Sequence, residues 1–143
     1  MIVDTSVLLA AFVPDQRMHK ACAQVLATTR PLVVSPLVLA ELDYLTAQLA
    51  GVNAELTVLA ELSSGAYELA SFGQAELIAT RAVVERYRDL PLGLTDASLV
   101  VLADKYETDV IGTLDERHFR VVQSLRGHPF TLQPADSIAP HTG

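Results

Sequence analysis

Apolar positions along the chain fall into short runs separated by helical stripes. Ile2-Val3 opens as a brief β-like run, and Leu32-Val33-Val34 is the second. Tyr67-Glu68-Leu69 is a third that alternates poorly; Val110-Ile111-Gly112-Thr113 is the fourth and Phe130-Thr131-Leu132 the fifth. Helical stretches lie between them, around Val7 to Phe12 and from about His19 to Thr28. Ser35-Pro36 opens the next helix, with Ser as N-cap and Pro at the first helical position. It runs to about Ala50, where Gly51 stops it. A second leg spans Ala54 to Leu62, and the short Gly51-Val52-Asn53 connection predicts that the legs fold back as a hairpin. Gln74 to Arg88 places Leu77, Ile78, Ala82, Val83 and Tyr87 roughly on one helix face. After a loop carrying Pro91 and Gly93, Thr95 is the expected N-cap of a strongly apolar helix, Asp96 to Tyr106. Strands alternating with helices predict an α/β fold, a central parallel sheet of about five short strands with helices on both faces.

In such sheets, functional groups gather beyond the carboxyl ends of the strands, near the point where strand order reverses. Four acids meet that condition. Asp4 ends the first strand, and Asp115 lies just past the fourth. Asp96 sits in the first turn of its helix. Glu41 is six residues beyond Ser35, roughly 9 Å along the helix axis. Three or four clustered carboxylates suit Mg²⁺ or Mn²⁺, hard ions that prefer oxygen ligands. Such an ion polarises a bound water and stabilises charge on a phosphate during in-line displacement. Without it the acids repel, and at least one is expected to hold a proton near neutral pH.

Each acid also has an ordinary reading. Asp4 could start a turn, Asp96 could favour a helix N-terminus electrostatically, Asp115 could be a turn residue, and Glu41 a solvated helix residue. Glu61, Glu76, Glu85 and Asp104 keep that default. The joint placement at one sheet edge is what distinguishes the four.

Composition narrows the setting. The chain has 143 residues, enough for one domain, expected over residues 1–133 with a loose tail at 134–143. Half the residues are hydrophobic, and the mean hydropathy of +0.33 leaves apolar surface for a partner. No run reaches the roughly 18 apolar residues of a membrane span. The start lacks a basic n-region, so no signal peptide is expected. Cys22 is the single cysteine, which fits a cytoplasmic location. The net charge of −7 opposes binding of a polyanion unless clustered acids carry cations, which invert the local sign.

Four segments, in order, resemble the PIN-domain family, specifically VapC toxins of bacterial toxin–antitoxin pairs. They are Met1-Ile2-Val3-Asp4-Thr5-Ser6-Val7-Leu8, Ser35-Pro36-Leu37-Val38-Leu39-Ala40-Glu41-Leu42, Leu94-Thr95-Asp96-Ala97 and Gly112-Thr113-Leu114-Asp115. Glu116-Arg117-His118-Phe119 after the last segment also looks familiar. The resemblance covers about residues 1 to 132. It implies a three-layer PIN-like fold and a Mg²⁺- or Mn²⁺-dependent endoribonuclease that cuts cellular RNA and inhibits translation and growth. A homodimer neutralised by a small VapB-like antitoxin is also implied. By this resemblance Asp4, Glu41, Asp96 and Asp115 are catalytic, and Asp4, Asp96 and Asp115 the direct metal ligands; Glu41 either binds metal or orients water. The hydroxyls of Thr5, Ser6 and Thr113 are read as donors to these carboxylates, with a helix N-cap as the other reading of Ser6. Arg117, His118, Arg120, Arg126 and His128 form the most basic stretch and are the candidate RNA contacts. Leucines along helices 36–50 and 54–62 exceed one stripe per helix. That hairpin is therefore the expected antitoxin groove, close to Glu41 and the acid site.

Other functions fit less well. A receiver or phosphotransfer domain wants an acidic pair after the first strand and an Asp after the third, but Thr5 follows Asp4 and Tyr67-Glu68-Leu69-Ala70-Ser71 holds no Asp. A dehalogenase-like phosphatase wants Asp where Ser6 stands. A non-enzymatic α/β binding module with structural acids stays open.

Overall fold

The computed structural model describes residues 1–138; residues 139–143, half of the expected loose tail, lie outside that description. In chain order the elements are β1 (Ile2–Val3), α1 (Thr5–Phe12), α2 (His19–Thr28), β2 (Val33–Val34), α3 (Pro36–Leu62) and β3 (Glu68–Leu69). They continue with α4 (Gln74–Arg86), α5 (Gly93–Lys105), β4 (Val110–Gly112), α6 (Glu116–Phe119), β5 (Thr131–Gln133) and α7 (Ala135–Ile138).

All five strands are parallel, in the order β3-β2-β1-β4-β5. Ile2 pairs with Val33 on one side and Ile111 on the other. Parallel crossovers are right-handed, so the connections running outward from β1 to β3 put their helices on one face. The connection back to β4 and on to β5 puts them on the other. On one side α1 packs against α2 and α3; on the other α4 packs against α5. This is the three-layer α/β fold expected from the strand–helix alternation. The strands are two or three residues long, yet Ile2, Val3, Val34, Ile111 and Leu132 are fully buried. Strands covered on both faces read as continuous apolar runs, as these do.

The helix ends show where side chains set the geometry. Ser35 caps α3 by accepting from the Leu37 N–H at 3.2 Å, and Pro36 is the first helical residue. At Gly51 the backbone leaves the helical region (φ 84°, ψ 178°) and divides α3 into two legs. The Glu55 carboxyl is pushed above its ordinary value, first by a hydrogen bond to the Asp43 carboxyl. On one straight helix those positions would stand roughly 18 Å apart, so the contact requires the legs to fold back, as the short connection predicted.

Two helices differ from expectation. α5 begins at Gly93, whose φ of 77° turns the loop into the helix. Thr95 therefore lies in the first turn instead of capping it, and its carbonyl accepts from the Ser98 hydroxyl at 2.6 Å. The start of the basic stretch after Asp115, for which no helix was expected, forms the one-turn α6. At the C-terminal end, Pro134 is buried and α7 follows it. Asp136 of α7 accepts from the Leu132 N–H and pairs with Arg120 at 2.6 Å, so this part of the segment expected to be loose is tied to the sheet.

Candidate active site

Strand order reverses between β1 and β4, and the acids converge there. The Asp4 N–H donates to the Gly112 carbonyl at 2.8 Å, extending the β1–β4 ladder by one bond. The next residues after each strand, Asp4 and Thr113, then face each other. Asp4 is also the N-cap of α1: its Oδ1 accepts from the Thr5 N–H at 2.8 Å. Its Oδ2 accepts from the Thr113 hydroxyl at 2.8 Å and from the Ser6 hydroxyl at 3.2 Å. Those hydroxyls are anchored in turn, because Ser6 Oγ accepts from the Leu114 N–H (2.9 Å) and Thr113 Oγ1 from the Asp115 N–H (3.0 Å).

Ser6 and Thr113 therefore brace the carboxylate as the sequence suggested, and Asp4 rather than Ser6 caps the helix. Thr5 contributes through its backbone; its buried hydroxyl has no hydrogen-bond partner among the described residues. Asp4 is 5% exposed. Burial pushes its carboxyl up to about 6, the charge of Asp96 adds to the rise, and the three hydrogen bonds pull it back.

Asp96 occupies the first turn of α5. Burial raises its carboxyl above the ordinary value, a hydrogen bond from His118 opposes this, and the charges of Asp115 and Glu41 raise it again. Asp115 caps α6, accepting from the His118 N–H at 3.3 Å. The turn of helix that follows swings the His118 ring inward, where Nδ1 lies 3.1 Å from Asp96 Oδ2 and 3.2 Å from Asp115 Oδ2. One ligand atom each from Asp96, Asp115 and His118 lie within 4.8 Å of one another. Glu41 is exposed on α3, within electrostatic reach of Asp96. A buried hydroxyl pair, Ser35 Oγ to Ser98 Oγ at 3.3 Å, ties the start of α3 to α5 and so sets Glu41 against Asp96.

The four acids are thus one electrostatic unit with Asp96 at its centre, touched by the fields of Asp4, Asp115 and Glu41. Carboxyls raised by burial and by neighbouring acidic charge, as those of Asp4 and Asp96 are, are what a divalent cation relieves, and the oxygen donors suit a hard ion. The residues present fit Mg²⁺ or Mn²⁺.

The basic stretch divides. His118 is 8% exposed and belongs with the acids. Arg120 pairs with Glu116 at 2.8 Å and with Asp136, which hold its guanidinium well above the usual range. Arg126 and His128 both bind Asp109. Arg117 is exposed and forms no ion pair among the described residues. A further cation was not anticipated. Arg17 lines a cavity of about 470 Å³ whose other walls include Thr113, Leu114 and Glu116, against the fourth motif. It lies between α1 and α2, where no periodicity or motif marks it.

A family model described as PIN domain matches residues 1–124. Ribonuclease VapC26 from Mycobacterium tuberculosis (strain ATCC 25618 / H37Rv) is 48% identical over 135 residues, covering 94% of this chain and 100% of that protein. Among solved structures, VapC20 from Mycobacterium tuberculosis, described as a sarcin-ricin loop cleaving toxin, superposes with a TM-score of 0.72 at 19% identity. That match covers 77% of this chain and 85% of the other. VapBC2 from Rickettsia felis, bound to a DNA fragment from its promoter, gives 0.65 at 18% identity over 92% and 96% of the two chains. FitAcB from Neisseria gonorrhoeae gives 0.55 at 16% identity over 80% and 86%.

Proposed function

The chain belongs to the PIN-domain family, and from that premise we propose that it is a VapC-type toxin: a Mg²⁺- or Mn²⁺-dependent endoribonuclease. Cleavage of cellular RNA would inhibit translation and growth, with a VapB-like antitoxin as restraint. The observation that carries the reading is the convergence of Asp4, Glu41, Asp96 and Asp115 at the strand-order reversal, where burial and neighbouring acidic charge raise the carboxyls of Asp4 and Asp96.

In this reading Asp4, Asp96 and Asp115 hold the cation, which would supply activation of a water and stabilisation of charge on the scissile phosphate. Ser6 and Thr113 keep Asp4 oriented through hydroxyls already locked by backbone N–H groups. Glu41, exposed on α3 within reach of Asp96, is assigned the remaining task, binding the metal or orienting the attacking water. Arg17, on the cavity walled by Thr113, Leu114 and Glu116, and the exposed Arg117 are the cations we assign to phosphates flanking the cut, which matters in a chain of net charge −7. His118 and Arg120, once candidates for that task, are engaged by carboxylates.

The antitoxin fits the outer face of the α3 hairpin. Tyr44, Leu49, Val52 and Leu56 there are more than half exposed, on the helix that also carries Glu41. An amphipathic segment seated there could reach the acids with an arginine. The proposed homodimer would cover a second apolar patch of Leu77, Ile78, Val84 and Leu94.

The test is cleavage of RNA by the antitoxin-free protein. Activity with Mg²⁺ or Mn²⁺, its reversible loss in EDTA, and its loss in Asp96→Asn are expected. Full cleavage by Asp96→Asn, or undiminished cleavage in excess EDTA, overturns the proposal.

A further inference from the structure

The His118 ring is drawn toward two carboxylates at once through a single nitrogen. Nδ1 carries at most one hydrogen, yet it stands 3.1 Å from Asp96 Oδ2 and 3.2 Å from Asp115 Oδ2. One N–H cannot make a strong, linear bond to both oxygens. Three lone-pair atoms thus surround one point that a single proton serves poorly.

The separations match a different occupant. An octahedral ion with bonds of about 2.1 Å has neighbouring ligand atoms about 3 Å apart. Both nitrogen–oxygen separations have that length, and one ligand atom from each of the three residues lies within 4.8 Å of the others. The ring is also preorganised. It is 8% exposed, and the N–H of the same residue is bonded to Asp115 Oδ1 at 3.3 Å, so ligand and neighbour share one turn of α6.

We propose that His118 Nδ1 is itself a ligand of the divalent ion, beside Asp96 and Asp115, making the centre a mixed nitrogen–oxygen site. The inference rests on the metal-dependent reading above and deepens it by naming a ligand that is not an acid. Its chemical consequence is selectivity. An imidazole nitrogen favours transition-metal ions, whereas an all-carboxylate site suits Mg²⁺ as well. The centre therefore prefers Mn²⁺ to Mg²⁺.

The experiment uses Mn²⁺ alone as probe, on the full chain without RNA. Electron spin-echo envelope modulation of bound Mn²⁺ reads directly whether a histidine nitrogen is coordinated, and calorimetric titration gives the Mn²⁺ and Mg²⁺ affinities. The wild-type protein is expected to show ¹⁴N modulation. His118→Gln, with folding verified in EDTA, is expected to lose it and to bind Mn²⁺ about 10–100-fold more weakly, with a smaller change for Mg²⁺. Bound Mn²⁺ without nitrogen modulation in the wild-type protein, or modulation that survives His118→Gln, overturns the inference and leaves the metal-dependent reading standing. Absence of saturable Mn²⁺ binding overturns both.

Discussion

Around Asp4 both carboxylate oxygens have donors within 3.2 Å, whereas at the outer end of α3 Leu49, Val52 and Leu56 each leave more than half their surface to solvent. The pocket conceals polar groups and the hairpin tip displays apolar ones, so each reverses the usual distribution. Each reversal costs free energy in the isolated chain. Buried charge in the pocket raises the Asp4 carboxyl to about 6, and an open apolar face invites a partner. The difference teaches where each function resides. Under the function proposed above, chemistry belongs to the part that is fixed by hydrogen bonds on all sides, and recognition to the part with few neighbours.

The contrast is broken most severely at its centre. Asp96→Asn removes the acid whose charge raises Asp4 and which itself feels Asp115 and Glu41; RNA cleavage should fall by about a thousandfold or more, in line with the loss of a preorganised charged group. Steady-state cleavage with Mn²⁺ at saturating concentration checks it.

Asp4→Asn sharpens the same side differently. The folded carboxyl of Asp4 titrates near 6, above its unfolded value of about 4. The folded state then binds the extra proton, so this group makes stability fall as pH rises from about 4 through 6. At pH 7 the buried charge costs about 3 kcal/mol. The metal-free Asp4→Asn protein should therefore be more stable than wild type at pH 7, and the two should converge towards pH 4. Denaturant titrations in EDTA at the two pH values decide this, and equal stability at pH 7 would contradict it.

At the tip, Leu56→Asp should weaken antitoxin binding by about 2 kcal/mol, the size of a lost apolar anchor, with cleavage by the free protein unchanged. A folded variant that binds normally would remove the hairpin tip as the docking face. The smallest effect joins the two regions. Ser98→Ala removes the hydroxyl bridging α5 to the Ser35 cap of α3, and about 1 kcal/mol of stability should go with it. Chemical denaturation measures the loss.

Much of this arrangement was legible in the chain because strands and acids coincide. Asp4 and Asp115 follow strand residues closely enough that pairing β1 with β4 brings both to Thr113, whose hydroxyl donates to Asp4 and accepts from the Asp115 N–H, and Ser35-Pro36 marks the start of α3 without ambiguity. What escaped was shorter than the signals. α6 is four residues long, far short of the roughly 11–18 residues over which an apolar stripe shows, so His118 read as one cation of the basic stretch although one helical turn carries it into the pocket. Thr95 resembles a cap, but the φ of Gly93 starts the helix earlier. Arg17 became visible only as the wall of a cavity formed by distant segments. Arg120 looked free because Asp136, its partner, comes sixteen residues later.

Gly51 carries one more implication. Its φ of 84° turns the chain where a Cβ would meet nothing within 4 Å, so the bend projects away from the molecule. Residues beside it can change with little consequence for the pocket, since they touch little else. If the hairpin tip is the docking face proposed above, substitutions at the bend would change which inhibitor is accepted without touching the acid cluster. The glycine would then mark the limit between a stretch of chain tied to the pocket and one free to vary.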